Sequence, residues 1–217
     1  MGTISTAKLA GISLILGPVI TVVGYFIQQL VIFADAEWGS AASFAALAAK
    51  ETDLFVWTSL AITIGLLMLA YGILFIADGI RGNGNGDALS RYAQLLITVG
   101  TTGFILAIGI SLTAATYPEP AAAAAAAFLT SSGIQSTAGI FFSLGFAAIF
   151  FAMASRDEYN TMLANIAGLV GVLAFAFSII GAVNTSSNEQ MTQLVGLTYF
   201  VHTAYAGFLG WRILSSK

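Results

Sequence analysis

Residues 54–77 read LFVWTSLAITIGLLMLAYGILFIA, twenty-four positions without one charged side chain. A helix rises ~1.5 Å per residue, so this stretch covers ~36 Å, more than the ~30 Å hydrocarbon core of a bilayer. In hydrocarbon the backbone must satisfy its own hydrogen bonds, which leaves a helix or a closed barrel. Barrel strands alternate apolar and polar over ~10 residues, whereas this run is continuous, so it reads as a spanning helix.

Five further segments share the pattern, at Leu9–Phe33, Tyr92–Ala115, Gln135–Ala154, Met162–Val183 and Leu194–Leu214. The sequence therefore predicts one domain over 1–217, an all-α integral membrane bundle of six transmembrane helices. Composition agrees: 58% of the 217 residues are hydrophobic and 8% charged, against roughly a quarter charged in soluble proteins.

Basic residues orient the bundle. Lys8, Arg81, Arg91, Arg156, Arg212 and Lys217 fall at one set of ends and loops, and only Lys50 falls at the other. The positive-inside rule then places both termini in the cytoplasm and the protein in the cell membrane. Ala34-Asp35-Ala36 has the form of a leader cleavage site, but the preceding apolar run is too long for one and contains Pro18, so it reads as a retained, kinked helix.

The connections differ on the two sides. Inside, Gly79–Gly86 is a glycine-rich turn with no Gly-Lys-Ser/Thr to make it a phosphate loop. Outside, Glu37–Lys50 and the alanine run Ala121–Ala127 after Pro118-Glu-Pro120 are too short to span, and are expected as short interfacial helices.

Taken in pairs, the spans form three parallel hairpins, and the odd spans carry small residues at helical spacing. These are Gly17 and Gly24 in the first, Gly100, Gly103 and Ala107 in the third, and Gly168 and Gly171 in the fifth. Such ladders let backbones approach closely. They predict the first, third and fifth spans at the centre and the others outside, an arrangement that parallel-repeat transporters also use. The five phenylalanines of the fourth span, Phe141, Phe142, Phe146, Phe150 and Phe151, then face lipid or a neighbouring subunit.

The centres of the spans hold no Asp, Glu, Lys or Arg. Proton relays, voltage sensing and carboxylate-based ion coupling use such groups, so ion-driven transport is disfavoured. A retinal Schiff base needs a lysine within a span, and Lys8, Lys50 and Lys217 lie at ends or in a loop. With no Cys and one His, neither thiolate chemistry nor a His-based metal site is expected, and no basic run points to nucleic acid.

Two neutral groupings remain. Gln28, Gln29, Gln135, Asn184 and Gln193 gather near the outer side, where they could line a polar vestibule or simply cap helices and bond between them. His202, with Tyr199 and Tyr205 at i−3 and i+3, forms one face of the sixth span. That face is either a weak candidate for binding a hydrophobic cofactor or one interhelical hydrogen bond.

The sequence thus points to a non-enzymatic accessory or scaffolding subunit of a membrane assembly, with lipids, other membrane subunits or further copies of itself as partners. A facilitator for a small neutral solute is the alternative. Binding of a lipid or hydrophobic pigment is the third reading, with no cofactor otherwise expected.

Overall fold

The computed structural model describes residues 4–82 and 84–216. Lys217 of the charge pattern and Asn83 of the glycine-rich turn lie outside these. Every regular element among the described residues is helical: α1 (Thr6–Ile27), a π turn (Gln28–Ile32), α2 (Ala41–Lys50), α3 (Thr52–Ile80), α4 (Asp87–Thr116), α5 (Ala121–Ala154), α6 (Thr161–Val183), a 3-10 turn (Thr185–Ser187) and α7 (Asn188–Ser215). Five of them, α1 extended through the π turn, α3, α4, α5 and α6, are long and apolar enough to cross a membrane. The chain forms a membrane-protein helical bundle. The last long helix, α7, has 28 residues and is more polar, carrying Glu189, Gln193, Thr198, His202 and Arg212.

Helix starts follow local chemistry. The side chains of Ser5, Ser40 and Asn160 accept hydrogen bonds from the Lys8, Ser43 and Leu163 amides, satisfying free N–H groups at the starts of α1, α2 and α6. Gly86 enters α4 at φ +83°, with its Cα close to the Ala152 carbonyl of α5, so the turn needs a residue without a side chain there.

Neighbour pairing runs α1–α3–α4–α5–α6–α7 and returns from α7 to α1, closing a ring of six long helices. The three expected hairpins, α1 with α3, α4 with α5 and α6 with α7, are all in contact. Their centre is the reverse of the expected one. The odd spans α1, α4 and α6 make no substantial contact with one another. The interior is filled instead from the even spans, by Ile73, Ile76 and Ile80 of α3, Phe146, Ile149, Phe150 and Met153 of α5, and Tyr205 and Leu209 of α7. Two thirds of the most apolar α5 window (67%) is buried, against 28% of that of α6.

The reason lies in what each ladder meets. A Cβ at Gly17 would fall 2.6 Å from the Leu69 nitrogen, one at Gly100 2.9 Å from the Phe142 nitrogen, and one at Gly171 2.8 Å from the Ala147 nitrogen. Gly24 faces Ile62, Gly103 faces Ala138, and Gly168 faces the ring of Phe151. The ladders therefore seat each odd span against an even partner. Ala107 is likewise buried at the α4–α5 seam, where its carbonyl accepts from Ser131 at 2.9 Å.

Three of the five α5 phenylalanines are consequently interior. Phe142, Phe146 and Phe150 recur every four residues on the face toward the core, while Phe141 remains 37% exposed. The alanine run also departs from expectation: it forms the first turns of a 34-residue α5, with no break before Gln135. The polar stretch after it stays helical because Thr130, Ser136 and Thr137 bond the carbonyls four residues back and Ser131 bonds Ser111 of α4 at 2.6 Å. α2 is a separate short helix, packed on α5 and α4 through Ala45, Ala114 and Ala124. Pro18 sits inside a continuous α1.

Contacts across the seams define two depths. Gln28 meets Thr58 and Ser59, and register through Thr52–Ala115 and Ser111–Ser131 carries that level to Gly109 and Gly133. Asp78, twenty residues beyond Thr58, lies with Arg81 and Gln94 at the basic end. The separation is ~30 Å, the thickness of a hydrocarbon core. Exposed Trp57 stands at the upper level and exposed Tyr92 and Trp211 toward the lower, the places that amphipathic rings prefer.

The packing makes a direct test. Gly17→Ala forces two backbones apart and should cost about 1–3 kcal/mol, the usual range for overpacking. Gly207→Ala, whose Cβ would meet nothing within 4 Å, should be neutral or stabilise by up to ~1 kcal/mol. Thermal unfolding in detergent reads both, and equal behaviour would refute this account of the seams.

Candidate functional site

The single histidine lies where α5, α6 and α7 meet. Its ring stacks on Phe146 at 4.9 Å and 17° and lies 5.6 Å from Phe150, and 4% of the residue is exposed. Aromatic contacts continue from it in two directions. Phe146 meets Phe142 at 4.7 Å, which meets Phe104 at 5.5 Å. Phe150 meets Tyr205 at 5.3 Å, and Tyr205 stacks on Phe208 at 6.2 Å. The i+4 stripe of α5 and the i+3 pair of α7 are what bring these rings to one place.

The hydrogen bonds assign the tautomer. His202 Nε2 lies 3.3 Å from the Ala167 carbonyl of α6, and a carbonyl only accepts, so Nε2 carries the proton. Nδ1 is then a bare acceptor, buried without a protein partner, as are the hydroxyls of Tyr205 and Thr101. Tyr199, expected on the same face, is half-buried and stands outside this stack. Among the described residues no group of three His, Cys, Asp or Glu could hold a metal ion.

The outer polar residues are spread around the ring. Gln28, in the π turn, donates from Nε2 to Thr58 Oγ1 at 3.1 Å and Ser59 Oγ at 2.9 Å, fastening α1 to α3. Gln29 is half-buried beside it and Gln135 is exposed on α5. Asn184 bonds Ser186 and Ser187 in the short α6–α7 link, and Gln193 reaches Glu189 one turn back on α7. They share a region of the bundle, but Gln28 and Asn184 are engaged in fastening helices or capping a turn.

At the opposite end, the loop between α5 and α6 is tied down by charge. Arg156 Nη2 donates to Glu158 Oε1 at 2.6 Å, and Arg212 of α7 donates to the Glu158 carbonyl at 3.2 Å while lying over Phe208. The Arg156 hydrogen bond holds the Glu158 carboxyl below the usual glutamate range, and burial raises the Tyr159 phenol.

Two cavities are present. One of about 380 Å³ opens sideways between α4 and α5, against Val99, Gly103, Gly133, Thr137, Ala138 and Phe141. The other, about 210 Å³, lies between α2 and the start of α5, against Ala42, Ala45, Pro118, Glu119 and Ala124. No outer glutamine lines either one. The α5 phenylalanine spacing was the available signal for the interior stack. Nothing in the sequence marked the α4–α5 groove.

These features define a class, a membrane-embedded all-α bundle with a packed aromatic interior. Comparison with protein-family models, curated proteins and solved structures found no match.

The His202 stack behaves as packing if its volume matters more than its nitrogens. His202→Phe should then change stability by about 1 kcal/mol or less, since it removes one hydrogen bond and one unpaired acceptor together. His202→Ala leaves a cavity and should cost about 2–4 kcal/mol. Thermal unfolding of the two variants decides, and a Phe variant as unstable as the Ala variant would show that the polar atoms hold the site.

Proposed function

We propose that the chain is a non-enzymatic accessory or scaffolding subunit of a membrane assembly. The observation that carries this reading is the filled interior. Phe146, Ile149, Phe150, Met153 and Ile73 are all less than 2% exposed where a central pathway would run. Polar side chains near the bundle's outer end fasten helices, and the apolar surface is directed outward, with Leu95, Leu106, Leu169, Leu173 and Leu197 each at least half exposed. A bundle of this kind offers faces for packing and no charged machinery inside the membrane.

In this reading α7 is the sixth span. Its polar Thr198, His202 and Tyr205 are buried against its neighbours, so its low overall hydropathy does not describe the surface it turns to lipid. Lys8, Arg81, Arg91, Arg156 and Arg212 share the end that carries both Thr6 and Ser215, which places that end in the cytoplasm and the protein in the cell membrane. Membrane lipids and other membrane subunits, or further copies of the chain, are its partners.

Gentle extraction and native mass measurement test the function. The expected result is a particle heavier than one 22.5 kDa chain with its lipid, containing further polypeptides or copies. A lone chain under every mild condition would refute the reading.

Orientation has its own test, because the chain has no cysteine. An impermeant maleimide should label Glu37→Cys in intact cells and Asp157→Cys only after permeabilisation. The opposite pattern would invert the topology.

A further inference from the structure

The groove between α4 and α5 differs from every other seam described above. Elsewhere the glycines face backbone or side-chain atoms of the next helix at 3 Å or less, whereas a Cβ at Gly133 would meet nothing within 4 Å. The groove's floor is Gly103 and Ala138, themselves in close contact, and its walls are Val99, Ile134, Thr137 and Phe141. The hydroxyls of Thr130 and Thr137 are bonded to carbonyls four residues back, so the lining presents mainly methyl and methylene surface. Val99 and Phe141 are 43% and 37% exposed, which leaves the groove open along its side.

Its depth and size select the occupant. From Thr130 to Phe141 the α5 wall runs ~16 Å, close to the ~15 Å of one hydrocarbon leaflet. Its upper end is at the level of Gly133 and the Gln28–Thr58 contact, so the groove descends from the membrane boundary toward the midplane. A helix of that length and ~10 Å diameter occupies ~1,200 Å³, three times the 380 Å³ available. An extended hydrocarbon chain, ~4–5 Å across between van der Waals contacts, occupies ~250 Å³ over the same length.

We infer that this groove seats one acyl chain of a membrane lipid from the leaflet on the α2 side. The recognition is of hydrocarbon, by shape: the chain lies over Gly103 and Gly133, where side chains are missing, and between Val99 and Phe141. The inference is independent of the subunit reading, because a single isolated chain would carry the lipid as well.

The test uses the full chain reconstituted in dioleoylphosphatidylcholine vesicles, extracted in mild detergent, and weighed by native mass spectrometry. One lipid should remain per chain. Gly133→Phe and Thr137→Phe each fill the groove and should reduce the retained lipid at least tenfold, with unchanged thermal unfolding as the check on folding. Gly207→Phe, which fills open space on α7, should retain it. Equal retention in the wild-type chain and both groove variants overturns the inference. So does a polypeptide, in place of lipid, that is present on the wild-type chain and lost from the groove variants.

Discussion

Lipid tails are as apolar as leucine, so nothing drives two greasy helices together except contact between their surfaces. This bundle is built on that constraint. Gly17 of α1 reaches the backbone of α3, Gly100 of α4 reaches that of α5, and Gly171 of α6 reaches that of α5. Close backbone approach gathers many weak dispersion contacts along each seam. A single added methyl at Gly17 would meet main-chain atoms, which cannot rotate away.

Using the small residues for the seams leaves the large ones to fill the middle. Phe142, Phe146 and Phe150 project from α5 into the space enclosed by the ring, where Ile73 of α3 and Tyr205 and Leu209 of α7 meet them. Polar side chains in the same interior are few and mostly bonded locally or across one seam, as with Ser111 and Ser131. His202 belongs to this interior as a flat ring among flat rings. Its one protein hydrogen bond, to Ala167, joins α7 to α6 at a point where the backbone carbonyl has a lone pair to spare. The two ends of the bundle are handled differently, with an alanine-packed cap of α2 on α5 at one end and arginine contacts around the α5–α6 loop at the other.

Much was legible without the structure. Runs such as residues 54–77, the absence of charge within them, and the bias of Arg and Lys to one set of loops come from the solvent, which acts on each segment separately. Glycine positions that permit close packing were also legible, and so was the pairing of successive long helices, because short links between antiparallel helices leave little choice. Less visible was the continuity of α5. Residues 130–137 are rich in Ser, Thr and Gly, and only the bonds from their hydroxyls to carbonyls one turn back make them good helix in an apolar setting.

The sequence by itself determined an all-helical membrane bundle without charged chemistry in its spans, since bilayer thickness and the cost of burying charge are properties of local composition. Tertiary structure alone decided which face of each helix is inward. Gly17 could have met any neighbour; that it meets α3 follows from how six helices close a ring, and closure then puts the α5 aromatics, with His202, at the centre. It also left Gly133 uncovered, although nothing in the sequence distinguishes that glycine from its packed counterpart Gly145 on the same helix.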